Sequence, residues 1–385
     1  SAGMSKFGTA GGIPAAEHFG GLPLKNWQEG SWPEGAQAIS GEAIRDTIRV
    51  ADTACFACPV GCGKVIEIDD GPYAGMRGEG PEYETLCGFG ANLLIDDLPA
   101  LAAINLRCND LGLDTISTSG VIAFAAEAMD RGLIAAEEAH GVELAWGAPE
   151  PVLEVVEQIA RRKGVGRLLA DGVRQAARRL GSEAGSFALH VKGLEPAYHD
   201  PRAFVDMGLI YATASRGACH LESGMYWRGY GIEWPGWEEG PYDRLASSED
   251  TVRLVVRLQN YMATYNPLGL CKFMVKGGLD PDGTVELLNA ALGWDWGGDD
   301  LLKVGERLFN WKRVINLQLG GAHNDDTLPS RFLREPRPSG SAAGNLPDLG
   351  RLLPLYYERR GWDAAGRPRP DRLSELGLTD HLPGE

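Results

Sequence analysis

The sequence predicts a mainly α-helical protein. Apolar residues recur at helical spacing in seven stretches, whereas only two short stretches have the composition of strands. Residues that favour helix starts and stops, such as Asp, Ser and Gly, bound several of these stretches. The chain has 385 residues, which is long enough to bury a large core and to form two or three domains.

The N-terminal part of the chain lacks a periodic pattern. Residues 1–35 are rich in Gly and Pro, which predicts an irregular arm. Helical periodicity starts after this arm. The stretch 97–111 predicts a helix with Asp97 as its N-cap, Pro99 in its first turn and Gly112 as its stop, because its apolar residues fall on one face.

The remaining elements follow from the same reasoning. A second helix is predicted over 118–131, with Ser117 or Thr118 as its cap and Gly132 as its terminator. Further stretches with helical periodicity cover 150–163, 167–180, 250–264, 283–292 and 299–319, and strands are predicted over 64–69 and 187–191.

A loop rich in aromatic residues spans 224–243, with the sequence GMYWRGYGIEWPGWEEGPYD. It predicts either a lid over a substrate pocket or a loop that is anchored by its own aromatic side chains.

The overall charge restricts the partners and the location of the protein. The chain has 37 basic and 53 acidic residues, and its net charge of −16 repels nucleic acid and anionic membrane surfaces. It has no long uninterrupted apolar run and no signal-peptide pattern. The sequence therefore predicts a cytoplasmic protein that binds neither nucleic acid nor membrane.

Three cysteines lie close together in the segment ACFACPVGCGKV. Cys55, Cys58 and Cys62 have the spacing C-x-x-C-x-x-x-C, and Gly61 and Gly63 allow the backbone to wrap closely. Three thiolates at this spacing suit a cubane iron–sulfur cluster, whose fourth ligand must come from elsewhere in the chain. A structural zinc ion is the alternative, although zinc sites usually close with a second C-x-x-C or a His pair, and the sequence contains neither.

The other cysteines have different contexts. Single positions among apolar or small neighbours predict buried, unreactive thiols for Cys87, Cys108 and Cys219. Cys271 instead ends the stretch NPLGLC at 266–271, and NDLGLD at 109–114 has the same form. Because a helix cap needs only the glycine, the repeated N-x-x-G-L pattern predicts paired loops that face a shared ligand.

Longer motifs run through the chain in the order GTAGGIP, LPLKNW, CFACPVGC, GPEYETLCGFGAN, CNDLGLDTIS, VKGLEPAYHDPRA, YATASRGACH, NPLGLC, NDDTLPSRFL and YYERRGWD. In these motifs the chain resembles the two helical domains of the aldehyde:ferredoxin oxidoreductases, tungsten enzymes that hold the metal between two pterin dithiolenes beside a four-iron cluster. The resemblance implies a first helical domain over 1–188 and a second over 189–385. The family's N-terminal β-rich domain has no counterpart in this sequence. The chain is therefore a fragment, has a separate subunit that supplies this domain, or has lost it.

The resemblance also implies which residues hold the cofactors. It implies that Cys55, Cys58, Cys62 and Cys271 ligate the [4Fe–4S] cluster, and that both N-x-x-G-L loops bind the tungsten (or molybdenum) bis-pterin. The pterin-binding residues implied in these loops and in the segment EPAYHDPRAF are Asn109, Gly112, Leu113, Asp114, Asn266, Gly269, Leu270, Asp200 and Arg202. Family members often have aspartate at the two asparagine positions, and an amide hydrogen-bonds without contributing charge.

Two further positions resemble residues that the family places beside the metal: Glu84 in GPEYET and His220 in RGACH. Oxidation of an aldehyde to a carboxylate requires an oxygen added at carbon, a hydrogen removed and two electrons accepted. A carboxylate can take the proton of the attacking water, and an imidazole can supply or shuttle a proton near neutral pH. We therefore assign Glu84 as general base and His220 as proton donor, with Glu82 as an alternative base. The structural alternatives are a glutamate that caps a helix and a core histidine whose hydrogen bonds are made within the protein.

Two other patterns suggest binding sites. Arg216 in SRGACH has the chemistry to pair with a phosphate or a carboxylate. Glu137 and His140 have E-x-x-H spacing, which on a helix would make half of a metal site shared across a homo-oligomer. A solvated helix end is the favoured interpretation of this second pattern.

The sequence thus predicts a tungsten-dependent oxidoreductase that converts an aldehyde and water to a carboxylic acid. Electrons would pass singly through the cluster to ferredoxin. Two alternatives stay open. One is a low-potential reductase of an aromatic acyl thioester from the same family, and the other is a non-catalytic iron–sulfur electron-transfer or assembly subunit.

Overall fold

The computed structural model describes residues 2–379 with the exception of 136, 225, 233–241 and 322. Helices dominate this part of the chain, which confirms the predicted mainly α-helical class. No helix among the described residues is both long and apolar enough to cross a bilayer. Half of the aromatic loop predicted over 224–243 lies outside the described residues.

The α-helices of the described chain are mostly short, and two of them reach twenty residues or more. In chain order they are α1 Ala2–Phe7, α2 Ile13–His18, α3 Pro33–Ala38, α4 Gly41–Thr47, α5 Tyr83–Thr85, α6 Leu98–Leu111, α7 Thr115–Asp130, α8 Pro149–Arg161, α9 Gly166–Leu169, α10 Val173–Leu180, α11 Ser182–Gly185, α12 Val205–Thr213, α13 Tyr226–Gly229, α14 Glu249–Leu268, α15 Phe273–Lys276, α16 Pro281–Leu292, α17 Gly298–Gln318, α18 Ser330–Arg334, α19 Leu349–Arg360 and α20 Pro370–Glu375.

The strands of the described residues form one small antiparallel sheet in the order β1 Arg49–Thr53, β2 Gly63–Glu67 and β3 Arg77–Glu79. The strand predicted over 64–69 corresponds to β2. In the β1–β2 pair, Thr53 lies opposite Gly63. A Cβ at Gly63 would lie 2.6 Å from the Thr53 side chain, so glycine lets the two strands approach at the start of the loop between them.

Capping residues set the bounds of the first two long helices, and those of the first were predicted. The Asp97 side chain accepts a backbone hydrogen bond of 3.0 Å from the first turn of α6, and Gly112 ends this helix with a φ of 68°. Helix α7 begins earlier than predicted, because Asp114 is its N-cap rather than Ser117 or Thr118. The Asp114 carboxylate accepts a hydrogen bond of 2.8 Å from the Ser117 amide.

The prediction of an irregular arm over 1–35 is wrong. This region contains α1, α2 and the first half of α3, and Ile13, Ala16 and Leu22 are completely buried. The Gly and Pro residues indicated turns correctly, but the short helices between those turns are stabilised by burial in the core. Composition alone does not report this burial.

Two other predicted elements differ from the structure. Residues 187–191 form no strand, and Val191 makes only an isolated bridge to Leu194. The helix predicted over 167–180 is divided into α9 and α10 at Gly172, whose φ is 82°. A Cβ at Gly172 would lie 2.9 Å from Oε1 of Glu195, which accepts a hydrogen bond of 2.7 Å from the first amide of α10. Glu195 therefore caps a helix that begins anew after the break.

The chain divides into two compact units. Unit 1 comprises Ser1–Ala203 and Pro329–Leu346, and unit 2 comprises Phe204–Leu328 and Pro347–Glu385. The family domains predicted over 1–188 and 189–385 stay a prediction, because a division by compactness does not test a division by family.

A buried arginine in α18 fixes the segment Pro329–Leu346 in unit 1. The exposed fraction of Arg331 is 2%. Its guanidinium donates two hydrogen bonds of 2.8 Å to the Glu127 carboxylate and one of 2.6 Å to the carbonyl of Asn26. This bidentate geometry satisfies both charges away from water.

A second buried arginine lies in the same segment. Arg337 donates a hydrogen bond of 2.6 Å to the Asp200 carboxylate and another of 2.6 Å to the carbonyl of Leu22. Arg202 binds the same carboxylate with bonds of 3.0 and 2.8 Å, and it donates to the carbonyl of Trp27 at 2.7 Å. The exposed fraction of all three charged side chains is at most 1%.

These guanidinium groups hold an N-terminal loop in an unusual conformation. Lys25, Asn26 and Trp27 are consecutive residues with φ values of 50°, 48° and 66°. Positive φ costs free energy in residues with a Cβ, so the loop needs external support. The hydrogen bonds that the carbonyls of Asn26 and Trp27 accept from Arg331 and Arg202 provide it.

Unit 2 is built on the packing of α14 against α17. Gly305 makes this close approach possible, because a Cβ there would lie 1.8 Å from the carbonyl oxygen of Asn260. Helix α19 packs on α14 through a buried polar contact, in which Tyr356 and Arg360 each donate a hydrogen bond of 2.7 Å to Gln259. These contacts position the loops at the ends of α14.

The substitution Asp200→Asn tests the buried ionic network. Burial by itself raises the pKa of Asp200, but the charges and hydrogen bonds of Arg202 and Arg337 leave this pKa below its ordinary value. Without the carboxylate, two guanidinium groups are buried unpaired, so we expect a loss of about 3–5 kcal/mol in the free energy of unfolding, measured by urea denaturation.

The control is Asp110→Asn in α6, where the side chain is 71% exposed and a change within about 0.5 kcal/mol is expected. Because the folded pKa of Asp200 is lowered, its stabilisation is present above the unfolded pKa of about 3.9 and is lost as the pH falls through the folded pKa. An Asp200→Asn protein as stable as the control at pH 7 would contradict this account.

Candidate active site

The three clustered cysteines lie on the loop that joins β1 to β2 in unit 1. The loop turns tightly, because the Cys58 amide donates a hydrogen bond of 3.0 Å to the carbonyl of Cys55, and Ala57 and Gly61 have φ values of 54° and 58°. Cys55 is exposed, whereas Cys58 and Cys62 are half-buried. They are therefore accessible to a metal.

The backbone of this loop favours a thiolate. The amides of Gly61 and Val60 donate hydrogen bonds to Cys58 and lower the pKa of its thiol. Cysteine ligates metals as the thiolate, so this environment fits a metal centre held by sulfur. Phe56, between the first two cysteines, is fully exposed, so this side of the loop faces solvent.

The two N-x-x-G-L stretches have the same local geometry. In unit 1, Gly112 follows α6 with a φ of 68°, and the Leu113 amide donates a hydrogen bond of 2.9 Å to the carbonyl of Cys108. In unit 2, Gly269 follows α14 with a φ of 66°, and the Leu270 amide donates one of 3.0 Å to the carbonyl of Tyr265. Both are Schellman caps.

The shared cap accounts for part of the repeat that the sequence analysis assigned to a ligand. The glycine and the following amide close the helix in both loops, so capping uses more of the pattern than the glycine alone. It does not use the asparagine side chains. Asn109 and Asn266 are exposed, and neither amide side chain hydrogen-bonds to the described part of the chain. Both are therefore available to a ligand.

The last residues of the two loops differ in role. Asp114 caps α7 with its carboxylate, whereas Cys271 is an exposed free thiol just before α15. The sulfur of Cys271 is thus accessible to a metal, as predicted for a cluster ligand.

Glu84 in α5 has two specific neighbours within unit 1. Its Oε2 accepts a hydrogen bond of 2.8 Å from the Tyr198 amide. Its Oε1 lies 3.1 Å from Nε2 of His199, which is an ion-pair distance when the imidazole is protonated. The His199 ring stacks on Tyr83, with 4.9 Å between centroids and 8° between planes. The carboxylate is held in one orientation while its side chain stays 16% exposed.

The alternative base, Glu82, has a different environment. It accepts a hydrogen bond from the Thr9 hydroxyl, and burial raises the pKa of its carboxyl. Thr9 also accepts a hydrogen bond of 2.8 Å from the Tyr83 amide, so Glu82 and Thr9 together secure the start of α5. This geometry favours a structural role for Glu82.

His220 and Arg216 lie in unit 2, on the stretch that follows α12. His220 is half-buried and begins the short 3₁₀-helix His220–Glu222, with its ring 6.3 Å from that of Tyr226. Arg216 is exposed and donates a hydrogen bond of 3.2 Å to the sulfur of Cys219. Cys219 itself is buried, as are Cys87 and Cys108.

Two predicted binding residues have structural partners instead of open surroundings. Asp200 and Arg202 are buried in the ionic network described above, where their hydrogen bonds hold other parts of unit 1. We propose that they position the neighbouring His199 rather than touch a cofactor. The pair Glu137 and His140 lies in an exposed turn, not on a helix, and His140 has a φ of 53°.

The sequence analysis gave His199 no role. Glu84 and His199 lie in different motifs, GPEYET and EPAYHDPRAF, and no spacing rule brings these motifs together. In the sequence, the one feature that pointed to this contact is that each motif combines a tyrosine with an ionisable residue. The contact itself depends on the tertiary packing of unit 1.

Comparison with known proteins identifies the family. The family description "Aldehyde ferredoxin oxidoreductase, domains 2 & 3" matches residues 1–378. A tungsten-containing aldehyde ferredoxin oxidoreductase of Pyrococcus furiosus is 40% identical over 380 residues, which cover 98% of this chain and 61% of the relative. The enzyme of that name from Thermococcus kodakarensis is 38% identical, and the match covers 99% of this chain and 61% of that enzyme. The chain thus spans about three fifths of the length of these relatives.

More distant relatives have other activities. An aliphatic sulfonate oxidoreductase, WOR-like subunit, of Pyrococcus furiosus is 29% identical and matches 96% of this chain and 57% of its own length. The solved active site complex BamBC of benzoyl coenzyme A reductase, bound to 1,5-dienoyl-CoA, superimposes with a TM-score of 0.75 at 19% identity, covering 94% of this chain and 58% of that one. This likeness shows the fold alone. The chain belongs to the aldehyde ferredoxin oxidoreductase family, and it corresponds to domains 2 and 3 of that family.

Proposed function

We propose that this chain forms part of an enzyme that oxidises a small aldehyde and water to a carboxylic acid and passes the electrons through a [4Fe–4S] cluster to ferredoxin. The observation that carries the proposal is the 40% identity, over 98% of the chain, to a tungsten-containing aldehyde ferredoxin oxidoreductase. A tungsten (or molybdenum) bis-pterin, when bound, would supply the redox centre and the oxygen chemistry.

The exposure of the side chains indicates which residues would hold these groups. The loop with Cys55, Cys58 and Cys62 has accessible thiols, and one of them has a lowered pKa. We propose Cys271 as the fourth sulfur, because it is exposed and free. The exposed Asn109 and Asn266 side chains would hydrogen-bond the pterins. The part of the relatives' length that this chain does not cover would complete the cofactor cavity.

Glu84 has the features of a general base. Its carboxylate is oriented by the Tyr198 amide and by His199, so it is positioned without a search over rotamers. Partial exposure leaves it accessible to the water or aldehyde hydrate whose proton it would accept. His199 would stabilise the carboxylate electrostatically, and His220 is proposed as the proton donor from unit 2.

Two other functions remain as alternatives. One is an aromatic acyl-thioester reductase; the likeness to the benzoyl coenzyme A reductase complex, at 19% identity, bears on the fold only. Turnover with aldehydes and a viologen acceptor separates this activity from the proposed one. An iron–sulfur electron-transfer subunit would contain about four irons per chain and neither tungsten nor molybdenum, which metal analysis of anaerobically isolated protein measures.

Cys271→Ser tests the proposed fourth ligand. Because an alcohol is a poor ligand for iron, we expect lower iron content and weaker visible absorbance of the cluster, measured after anaerobic isolation. Cys108→Ser, which changes a buried thiol outside the proposed ligand set, should retain the wild-type iron content. Unchanged iron in Cys271→Ser would reject this ligand, and zinc without iron in the wild-type protein would reject the cluster.

Glu84→Gln tests the proposed base. The amide keeps the shape of the side chain but cannot accept a proton at neutral pH, so turnover of an aldehyde should fall about a hundredfold or more while the metals stay bound. Glu82→Gln is the matched variant two residues away and should retain most activity. A large loss in Glu82→Gln with normal turnover in Glu84→Gln would assign the base to Glu82.

A further inference from the structure

Lys64 is a buried lysine beside the cysteine loop of unit 1, and the proposed catalytic roles do not use it. It is the second residue of β2 and follows Cys62 by two positions. Its side chain is only 7% exposed, whereas lysine ammonium groups usually remain in water. A charge that is removed from water needs specific partners, so the contacts of this ammonium group indicate why it is buried.

Backbone carbonyls are the main partners of the Lys64 ammonium group. Its Nζ donates hydrogen bonds to the carbonyl of Ser5 at 2.8 Å and to that of Gly63 at 3.1 Å. It also donates to the carbonyl of Gly61 at 3.4 Å. The carbonyls of Gly61 and Gly63 lie on either side of Cys62, and Ser5 belongs to α1. Lys64 therefore ties the end of the cysteine loop to the N-terminal helix.

The residue that follows α1 packs against the same place. Gly8 has a φ of 64°, and a Cβ at this position would lie 3.0 Å from the carbonyl oxygen of Cys62 and 3.7 Å from the Lys64 side chain. Glycine permits both this conformation and this close approach. The backbone of Cys62 is thus held by the ammonium group on one side and by the turn after α1 on another.

Two acidic residues lie near Lys64. In β1, Oδ1 of Asp52 lies 3.3 Å from Nζ, but the Asp52 side chain is 54% exposed and also accepts a hydrogen bond of 3.0 Å from Arg49. Burial raises the pKa of Glu82, and the charge of Lys64 is among the factors that oppose this rise. Water screens the carboxylate of Asp52, whereas the ammonium group of Lys64 is largely removed from water.

The place of this charge matters for a metal centre that is held by Cys62. Because Nζ lies within 3.4 Å of the carbonyl oxygen on each side of Cys62, bond lengths place it within about 10 Å of the Cys62 sulfur. At an effective dielectric constant of about 20, a unit charge at about 10 Å changes an electron-transfer equilibrium constant about tenfold or more. Reduction adds a negative charge to a cluster, so a fixed cation favours the reduced form.

We infer that Lys64 is a positioning residue for the proposed iron–sulfur cluster: its ammonium group closes the cysteine loop onto α1, and its positive charge raises the reduction potential of the cluster. This role rests on the proposed ligation of iron by Cys55, Cys58 and Cys62, and it is independent of the substrate.

The test is a redox titration of the complete protein after anaerobic isolation, in which the electron paramagnetic resonance signal of the reduced cluster gives its midpoint potential. Lys64→Met keeps the length of the side chain and removes its charge. The equilibrium constant for one-electron reduction should fall about tenfold or more, which corresponds to about 59 mV towards more negative potential. Lys6→Met removes the charge of an exposed lysine in α1 and should leave the potential unchanged.

A second variant distinguishes a lost charge from a damaged loop. Asp52→Asn removes the carboxylate beside Lys64, so the midpoint potential should become less negative, by a smaller amount because Asp52 is more exposed. Damage to the loop would not reverse the direction of the shift. If Lys64→Met assembles no cluster, Lys64→Arg, which keeps the charge and the donors, should retain the wild-type iron content and potential.

Equal midpoint potentials in the wild-type protein and Lys64→Met would overturn this role of Lys64. So would a loss of iron in both Lys64→Met and Lys64→Arg together with an unchanged potential in Asp52→Asn.

Failure of this role and failure of the proposed activity give different results. A protein that oxidises no aldehyde, but whose cluster potential falls in Lys64→Met, keeps the role of Lys64 and loses the activity. A protein that oxidises aldehydes, and whose cluster potential is the same in Lys64→Met, keeps the activity and loses this role.

Discussion

The ion pairs that bury Arg331 and Arg337 against Glu127 and Asp200 hold unit 1 together. Buried charges are stable only when they are paired and hydrogen-bonded, and here each carboxylate has arginine partners. Asp200 directly follows His199, whose ring lies beside Glu84. The histidine beside the candidate base is therefore directly followed by a residue of this ionic network. The residues that stabilise unit 1 and the histidine beside the candidate base are thus adjacent in one segment.

The two Schellman caps have the same local backbone geometry but are followed by residues with different chemistry. Each cap ends a long helix and leaves an exposed asparagine in the last turn. After the cap the loops diverge, because Asp114 starts another helix whereas Cys271 stays free. The same backbone geometry thus leaves an exposed amide side chain in each loop, and of the two loops the second adds an exposed thiol.

Much of the fold and the main motifs could be predicted from the sequence, because they depend on interactions between residues that are close in the chain. Asp97 and Gly112 bound α6 as their capping chemistry requires. The region 1–35 was mispredicted because its short helices depend on the burial of Ile13 and Ala16, not on periodicity. The contact of Glu84 with His199 was not predictable, since it is created by tertiary packing between distant motifs.

The left-handed run at Lys25, Asn26 and Trp27 has a consequence for synthesis on the ribosome. Its supporting partner Arg331 emerges about three hundred residues later, after most of unit 2. The N-terminal loop therefore cannot reach its final conformation while the chain is being translated up to that point. The first segment of unit 2, Phe204–Leu328, separates the two segments of unit 1 in the sequence, so unit 1 is completed only after that segment has been synthesised.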